Sequence, residues 1–186
     1  MVCLLKIMSS VIEVETKIAV SDLPEIADRL RSLGATYLGG SSQKDTYLNA
    51  PHRDYGKTDE ALRVRETKSA TEITYKGPKT QNSGSKARTE ITLSVESAED
   101  AIALLTAAGF YVSARVKKER NEYQYTGTTI ALDHVEGLGT YVEIEVLTDD
   151  DISAAQNRIE SVKKELNISG EHIPVSYLEL LISKSD

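Results

Sequence analysis

Residues 11–20, VIEVETKIAV, alternate apolar and charged side chains with the period of two that a strand requires. Ile12, Val14, Ile18 and Val20, with Thr16, share one face; Glu13, Glu15 and Lys17 share the other. The same pattern recurs along the chain. In residues 61–66, Leu62 and Val64 oppose Arg63 and Arg65. In 72–77, Ile73 and Tyr75 oppose Thr74 and Lys76, and Gly77-Pro78 stops the strand before the hairpin loop KTQNSGSK. In 87–95, Arg88, Glu90 and Thr92 oppose Thr89, Ile91, Leu93 and Val95. Residues 112–125 carry Lys118, Arg120 and Glu122 on one parity, 129–134 place Asp133 opposite Leu132, and 141–146 set Glu143 and Glu145 against Val142, Ile144 and Val146. Residues 36–48 read as strand on either side of a Gly-Gly-Ser-Ser break, and 49–60 as a turn-rich, mobile surface loop carrying a solvated His52.

Four stretches switch to helical spacing. Asp22 and Pro24 open a helix whose stripe is Ile26, Leu30 and Leu33, with Ala27 beside it, and Gly34 closes it. Residues 97–108 place Ala101, Leu104, Leu105 and Ala108 on one side and end at Gly109. Asp149-Asp150-Asp151 set acids at the positive end of a long helix reaching about Leu166, and 175–182 form a short last helix. Strands with one apolar face, plus amphipathic helices to cover it, give an α+β domain over residues 11–184. Residues 1–10 form an extension, with translation starting at Met1 or Met8.

Composition narrows the function. A net charge of -7 argues against nucleic-acid binding by bulk attraction, while leaving room for a local basic site. The one cysteine, Cys3, allows no intrachain disulfide. No apolar run approaches the roughly 18 residues of a membrane span, and MVCLLKIM is too short for a signal-peptide core. The expected location is cytoplasmic, with no membrane partner. Gly-rich phosphate loops, Cys/His metal spacings and Gly-x-Ser-x-Gly are all missing from the sequence.

The charges segregate by sign across almost every strand. Lys17, Arg63, Arg65, Lys76, Arg88, Lys118 and Arg120 are the bases; Glu13, Glu15, Glu90, Asp133, Glu143 and Glu145 are the acids. A closed or nearly closed antiparallel barrel, apolar outside and charged within, accounts for this arrangement. Such a lumen holds water and binds something, because crowded like charges are costly without a ligand. Arginines and lysines suit a polyanion with several phosphate oxygens. Carboxylates suit Mg²⁺ or Mn²⁺ bridging to those phosphates.

With these residues in hand, Glu13-Val14-Glu15-Thr16-Lys17 resembles the Glu-x-Glu-x-Lys signature of the CYTH superfamily, the triphosphate tunnel metalloenzymes. ALRVRE at 61–66, TYKGP at 74–78, ARTEI at 87–91, VKKER at 116–120, LDHVEGLGTYVEIE at 132–145 and SYLELL at 176–181 follow in the family's order. The last two look most like the class IV adenylyl cyclase (CyaB-like) branch, although His134 stands where cyclase relatives often carry an acid. The resemblance implies an eight-stranded antiparallel β-barrel, the triphosphate tunnel, flanked by helices. It implies that Lys17, Arg63, Arg65, Lys76, Arg88, Lys118 and Arg120 bind phosphates, with Lys17, Lys76, Lys118 and Arg120 catalytic. It implies Glu13, Glu15, Asp133, Glu143 and Glu145 as ligands of Mg²⁺ or Mn²⁺, and Glu90 as the partner of a lumen base. Ser176 and Tyr177 either close over the site or pack the last helix.

Three functions fit this reading. The first is an adenylyl cyclase making cyclic AMP and pyrophosphate from ATP. The second is a triphosphatase acting on inorganic triphosphate, thiamine triphosphate or nucleoside triphosphates. The third is a non-catalytic nucleotide or polyphosphate-binding module. A homodimer is expected, as are loops at 49–60 and 79–86 that close over the ligand.

Overall fold

Alternation of apolar and polar positions carries most of the chain into one antiparallel sheet, seen in a computed structural model that describes residues 12–78, 80–82, 85–87, 89–149 and 151–185. In chain order the elements are β1 (Ile12–Ala19), α1 (Leu23–Ser32), β2 (Thr36–Asn49), β3 (Ala61–Glu66), β4 (Thr71–Lys76), β5 (Thr80–Asn82), β6 (Ser85–Ala87), β7 (Glu90–Val95), α2 (Ala98–Ala107), β8 (Tyr111–Tyr125), β9 (Thr128–Val135), β10 (Gly139–Thr148), α3 (Ile152–Glu165) and α4 (Tyr177–Ser185). Eight strands pair in the order β1-β10-β9-β8-β2-β3-β4-β7, and β5 and β6 form a separate hairpin. The expected N-terminal extension at 1–10 and the residue Arg88 lie outside the described residues.

The eight antiparallel strands agree with the sequence; closure into a barrel does not. Among the described residues β1 and β7 are both edges, with no ladder between them. One reason is visible in the chain. The strand expected over 87–95 is divided, so that Ala87 ends β6 and the sheet resumes only at Glu90. β6 instead runs beside β1, next to the open seam. The sheet still curls strongly, since Glu13 on β1 lies within electrostatic reach of Lys76 and Glu90 on β4 and β7.

The Gly-Gly-Ser-Ser break of residues 39–42 is also corrected. β2 runs through it as a single strand, with a register shift between Tyr37 and Gly39, where Gly39 takes a φ of +139°. This bulge lets a 14-residue strand bend with the sheet instead of ending. The 49–60 segment is held by Asn49, whose Oδ1 accepts from the backbone N–H groups of Ala50 and Tyr55, and Tyr55 buries its ring in the core beneath it.

Helices bury apolar residues in three patches, the first two on the convex face. α1 and α3 enclose the first with Leu30, Ile130, Leu132, Val142, Ile144 and Ile159. α2 covers Leu48, Leu62 and Val64 through Ala101. The third patch lies on the other side of the sheet: Val116, Val135 and Tyr141 share the inward parity of Lys118, Asp133 and Glu143, and α4 packs on them through Tyr177 at one end of the concave face. Each fully buried Leu or Ile adds about 2 kcal/mol of transfer free energy. The caps follow the sequence: Asp22, Ser97 and Asp151 accept from the N–H three residues on, and Gly34 and Gly109 take positive φ. Two stripe positions do not follow it. Leu33 and Leu104 remain exposed, whereas Ala27 and Ala101 are buried.

Between α3 and α4 the chain crosses β1 closely. A Cβ at Gly170 would lie 2.3 Å from Ile18 Cγ2, so only glycine fits there. The Ile173 N–H then donates to the Lys17 carbonyl at 2.8 Å. This crossing brings the C-terminal segment to the end of the concave face.

Candidate active site

Register places the polar positions side by side across the concave face. Lys17 pairs with Glu143, Glu15 with Glu145, Arg120 with Asp133 and Ser41, Gln43 with Lys118, Asp45 with Arg65, and Lys76 with Glu90. Because the side-chain period is two, every one of these residues faces inward once one of them does.

Two buried aspartates organise the bases. Asp133, with no solvent exposure, receives Arg120 in a bidentate contact, Nε to Oδ1 at 2.7 Å and Nη2 to Oδ2. Lys118 Nζ lies 3.4 Å from the same carboxylate, and the Tyr177 hydroxyl donates to Oδ2 at 2.9 Å. Arg120 also reaches Glu143, which faces Lys17 Nζ at 3.5 Å. On the neighbouring strands Asp45 receives Arg65 through Nε and Nη2, both at 2.6 Å, and has Arg63 Nη1 at 3.9 Å. Planar guanidinium groups match carboxylates in this way, so each arginine is fixed while its remaining N–H groups stay available.

The electrostatics follow from burial and pairing. Burial opposes charge on Asp133, Glu143 and Asp45, yet Arg120 and Arg65 hold all three below the usual carboxylate range. Burial, with Arg120 nearby, lowers the Lys118 ammonium to about 8. Burial also opposes charge on Arg120, but hydrogen bonds to Asp133 raise it further above its ordinary range. Two buried polar atoms of the basic wall, Arg63 Nε and Gln43 Oε1, have no hydrogen-bond partner among the described residues.

The acids at the β1–β10 edge behave differently. Among the described residues no lysine or arginine lies within ion-pair distance of Glu13, Glu15 or Glu145. Although part of Glu13 meets solvent, loss of hydration, with Glu145 and Glu15 beside it, pushes its carboxyl up to about 7. Burial and Glu15 likewise raise Glu145. The five acids expected as metal ligands thus divide: Asp133 and Glu143 serve the bases, while Glu13, Glu15 and Glu145 form a patch without an ion-paired base among the described residues. No three carboxylates converge on one point among the described residues. The donor chemistry of the patch still fits Mg²⁺ or Mn²⁺, which need only one or two protein carboxylates when phosphate oxygens and water complete the shell.

Lys76 lies apart from Lys118 and Arg120, with Nζ 2.5 Å from Glu90, the lumen-base partner expected for that acid. Two participants escaped the sequence reading. Asp45 and Gln43 share the parity of Ser41 and Tyr47 on β2, a signal hidden by treating that strand as interrupted. Tyr177 does both things considered for it: it packs α4 against Tyr141 and touches the site.

The profile of the CYTH domain matches residues 11–177. The chain belongs to the CYTH domain family. It is 36% identical over 173 residues to the Methanocaldococcus jannaschii protein named "Putative adenylate cyclase MJ0240", covering 91% of this chain and 98% of the relative. It is 25% identical over 142 residues to "Adenylate cyclase CyaB" of Aeromonas hydrophila, covering 75% and 71%. The PH1819 protein of Pyrococcus horikoshii OT3 superposes with a TM-score of 0.80 at 38% identity, over 92% of this chain and 99% of that one. No helix among this chain's described residues is long and apolar enough to cross a membrane.

Proposed function

We propose that this CYTH protein is a divalent-metal-dependent adenylyl cyclase that binds the triphosphate of ATP along its concave face and forms cyclic AMP and pyrophosphate. The observation that carries the reading is the adjacency of a fixed basic wall (Arg63, Arg65, Lys118, Arg120 and Lys17) to an acid patch with no ion-paired lysine or arginine among the described residues. The names of the curated relatives support the choice of reaction.

Glu13, Glu15 and Glu145 would hold Mg²⁺ or Mn²⁺. The ion supplies Lewis-acid polarisation and neutralises phosphate charge. Arg63 and Arg65 take non-bridging phosphate oxygens through N–H groups not used by Asp45. Arg120 and Lys118 face the charge that grows on the leaving pyrophosphate as the ribose 3′-oxygen bonds to the α-phosphorus and the bond to the β-phosphate bridging oxygen breaks. Lys17 and Lys76 extend the positive potential along the face.

A second reading is favoured by the same face. Its charged groups account for a triphosphate and a metal, and none of them is specific for ribose or base. Hydrolysis of inorganic triphosphate, thiamine triphosphate or a nucleoside triphosphate uses the same groups, with water attacking the terminal phosphorus. A product assay decides. The protein is incubated with ATP, and separately with inorganic triphosphate, with Mg²⁺ or Mn²⁺ from neutral to alkaline pH. Cyclic AMP with equimolar pyrophosphate is the expected result. Orthophosphate without cyclic AMP replaces the cyclase reading with the triphosphatase one. Metal-independent triphosphate binding with no product overturns both in favour of a binding module.

A further inference from the structure

The C-terminal segment contacts the site at more points than packing a last helix requires. Its backbone crosses β1 at Gly170, and the Ile173 N–H bonds the Lys17 carbonyl. The Lys17 ammonium returns the contact, donating to the Val175 carbonyl at 2.9 Å. Two residues later, Tyr177 turns a buried ring into the end of the basic wall. Lys17 Nζ lies 4.4 Å from the ring centroid and Lys118 Nζ 5.1 Å from it. The ring itself is fixed edge-on against Tyr141 at 5.1 Å. Its hydroxyl donates to Asp133, the carboxylate on which Arg120 is docked. α4 starts at Tyr177, and Ser176 closes that start reciprocally with Glu179, so the tyrosine is held by a helix end that cannot slide freely.

We propose that Tyr177 is a positioning residue for this end of the face: its ring is the common platform that spaces the ammonium groups of Lys17 and Lys118, and its hydroxyl fixes the Asp133 carboxylate that aims Arg120. An aromatic face attracts both cations without adding a negative charge beyond those of Glu143 and Asp133, so the ring holds them close together and leaves the net positive charge of this end unchanged. A carboxylate in this place would consume that charge, and an aliphatic side chain would leave the two ammonium groups to repel each other. The inference rests on the triphosphate reading for its consequence, although not for its geometry.

Three variants separate positioning from packing. Tyr177→Phe keeps the ring and removes the hydroxyl. Tyr177→Leu keeps apolar volume and removes the ring. Leu180→Ala loosens α4 in the apolar cluster that also holds Val116 and Val135, while leaving Tyr177 itself intact. Affinity for inorganic triphosphate is measured by calorimetry, steady-state constants are measured with the substrate that wild type turns over, and lysine side-chain signals are followed by NMR in ¹³C-lysine-labelled protein without ligand. Tyr177→Leu is expected to weaken triphosphate binding about tenfold, the size of a desolvated cation–aromatic contact, and to move the two lysine signals out of the ring's shielding field. Tyr177→Phe is expected to retain both lysine signals and the affinity while kcat falls about fivefold, because only the Asp133 hydrogen bond is lost. Leu180→Ala is expected to lower Tm with affinity and kcat unchanged. Equal losses in Tyr177→Leu and Leu180→Ala, or lysine signals unmoved in Tyr177→Leu, overturn the proposal. Wild-type protein that fails to bind triphosphate sinks the functional reading instead, and the lysine signals still decide the positioning role.

Discussion

The basic wall and the acidic edge of the concave face arise from the same alternating strands, yet their charges are handled in opposite ways. On the wall, each buried arginine has a buried aspartate: Arg120 with Asp133, and Arg65 with Asp45. These acids are held below their ordinary range. At the edge, Glu15 and Glu145 sit directly opposite each other in the ladder with no base between them, and Glu13 and Glu145 are pushed up. The wall is preorganised by the protein's own ions and is therefore part of the fold. The edge keeps its like charges together, and in the proposed function a divalent cation would relieve them. Changes to the wall should then cost both stability and activity, whereas changes to the edge should cost activity alone.

The strongest way to break this comparison is Arg120→Ala. It leaves the fully buried Asp133 with Lys118 as its remaining cation, and removing one partner of a buried pair costs about 3 kcal/mol. Loss of a preorganised donor to the leaving phosphate lowers kcat about 10³-fold. Urea unfolding and steady-state kinetics check both values. A variant that loses activity but unfolds as wild type would mean that the Asp133 pair is not holding the wall together.

Glu145→Gln tests the opposite behaviour. If the edge binds the metal, the concentration of Mg²⁺ or Mn²⁺ for half-maximal activity rises by at least the roughly 10²-fold that loss of a supporting group costs. Stability without metal moves the other way, up by about 0.5 kcal/mol, because a like-charged cross-strand pair with Glu15 is gone. Metal dependence unchanged in Glu145→Gln would remove this residue from the ion's shell.

A third expectation concerns pH. The Glu13 carboxyl is ordinary in the unfolded chain, near 4.5, and raised to about 7 in the fold. Folding therefore favours its protonated form. Its contribution to stability is fully present below about 4.5 and is lost as pH rises through about 7. A divalent cation opposes that loss only where the carboxylate is ionised. The rise in Tm on adding Mn²⁺ should thus be small at pH 6 and reach about 4 °C by pH 8, at metal well above its dissociation constant. An equal rise at both values would show that the ion binds away from Glu13.

The faces of this molecule were legible because alternation is a local property: Glu13, Lys17, Arg65, Arg120 and Glu143 were placed on the inner side by parity alone. What escaped depends on the path of the whole chain. An open and a closed sheet have identical alternation, so nothing in residues 87–95 announces that β6 leaves the ladder and runs beside β1. Asp45 was overlooked although 43–48 read as strand, because the Gly-Gly-Ser-Ser stretch reads as a break, when the backbone uses a bulge to continue. The division of the acids was equally hidden. Asp133 and Glu145 carry the same inward signature, and only three-dimensional pairing gives one of them Arg120 and leaves the other beside Glu15. Tyr177 reaches Asp133 from 44 residues away, a contact that no periodicity encodes.

The smallest effect on the site is expected from Asp22→Ala, which lies outside both regions and calibrates them. Asp22 caps α1, its Oδ1 accepting from the Glu25 N–H at 2.9 Å, and α1 buries Ile26 and Leu30 against the convex face. Losing such a cap costs about 1 kcal/mol. The helix packs on the opposite side of the sheet from the charges, so triphosphate affinity, metal dependence and turnover should match wild type while Tm drops by about 3 °C. The result matters for reading the other variants. If a cap on the outer layer also altered turnover, then any loss of stability would disturb the concave face, and the activity lost in Arg120→Ala could not be assigned to the phosphate contact. If turnover is unchanged, the outer helices support the sheet without adjusting its charges. The contrast between a self-neutralised wall and an edge awaiting a cation then belongs to the inner residues themselves.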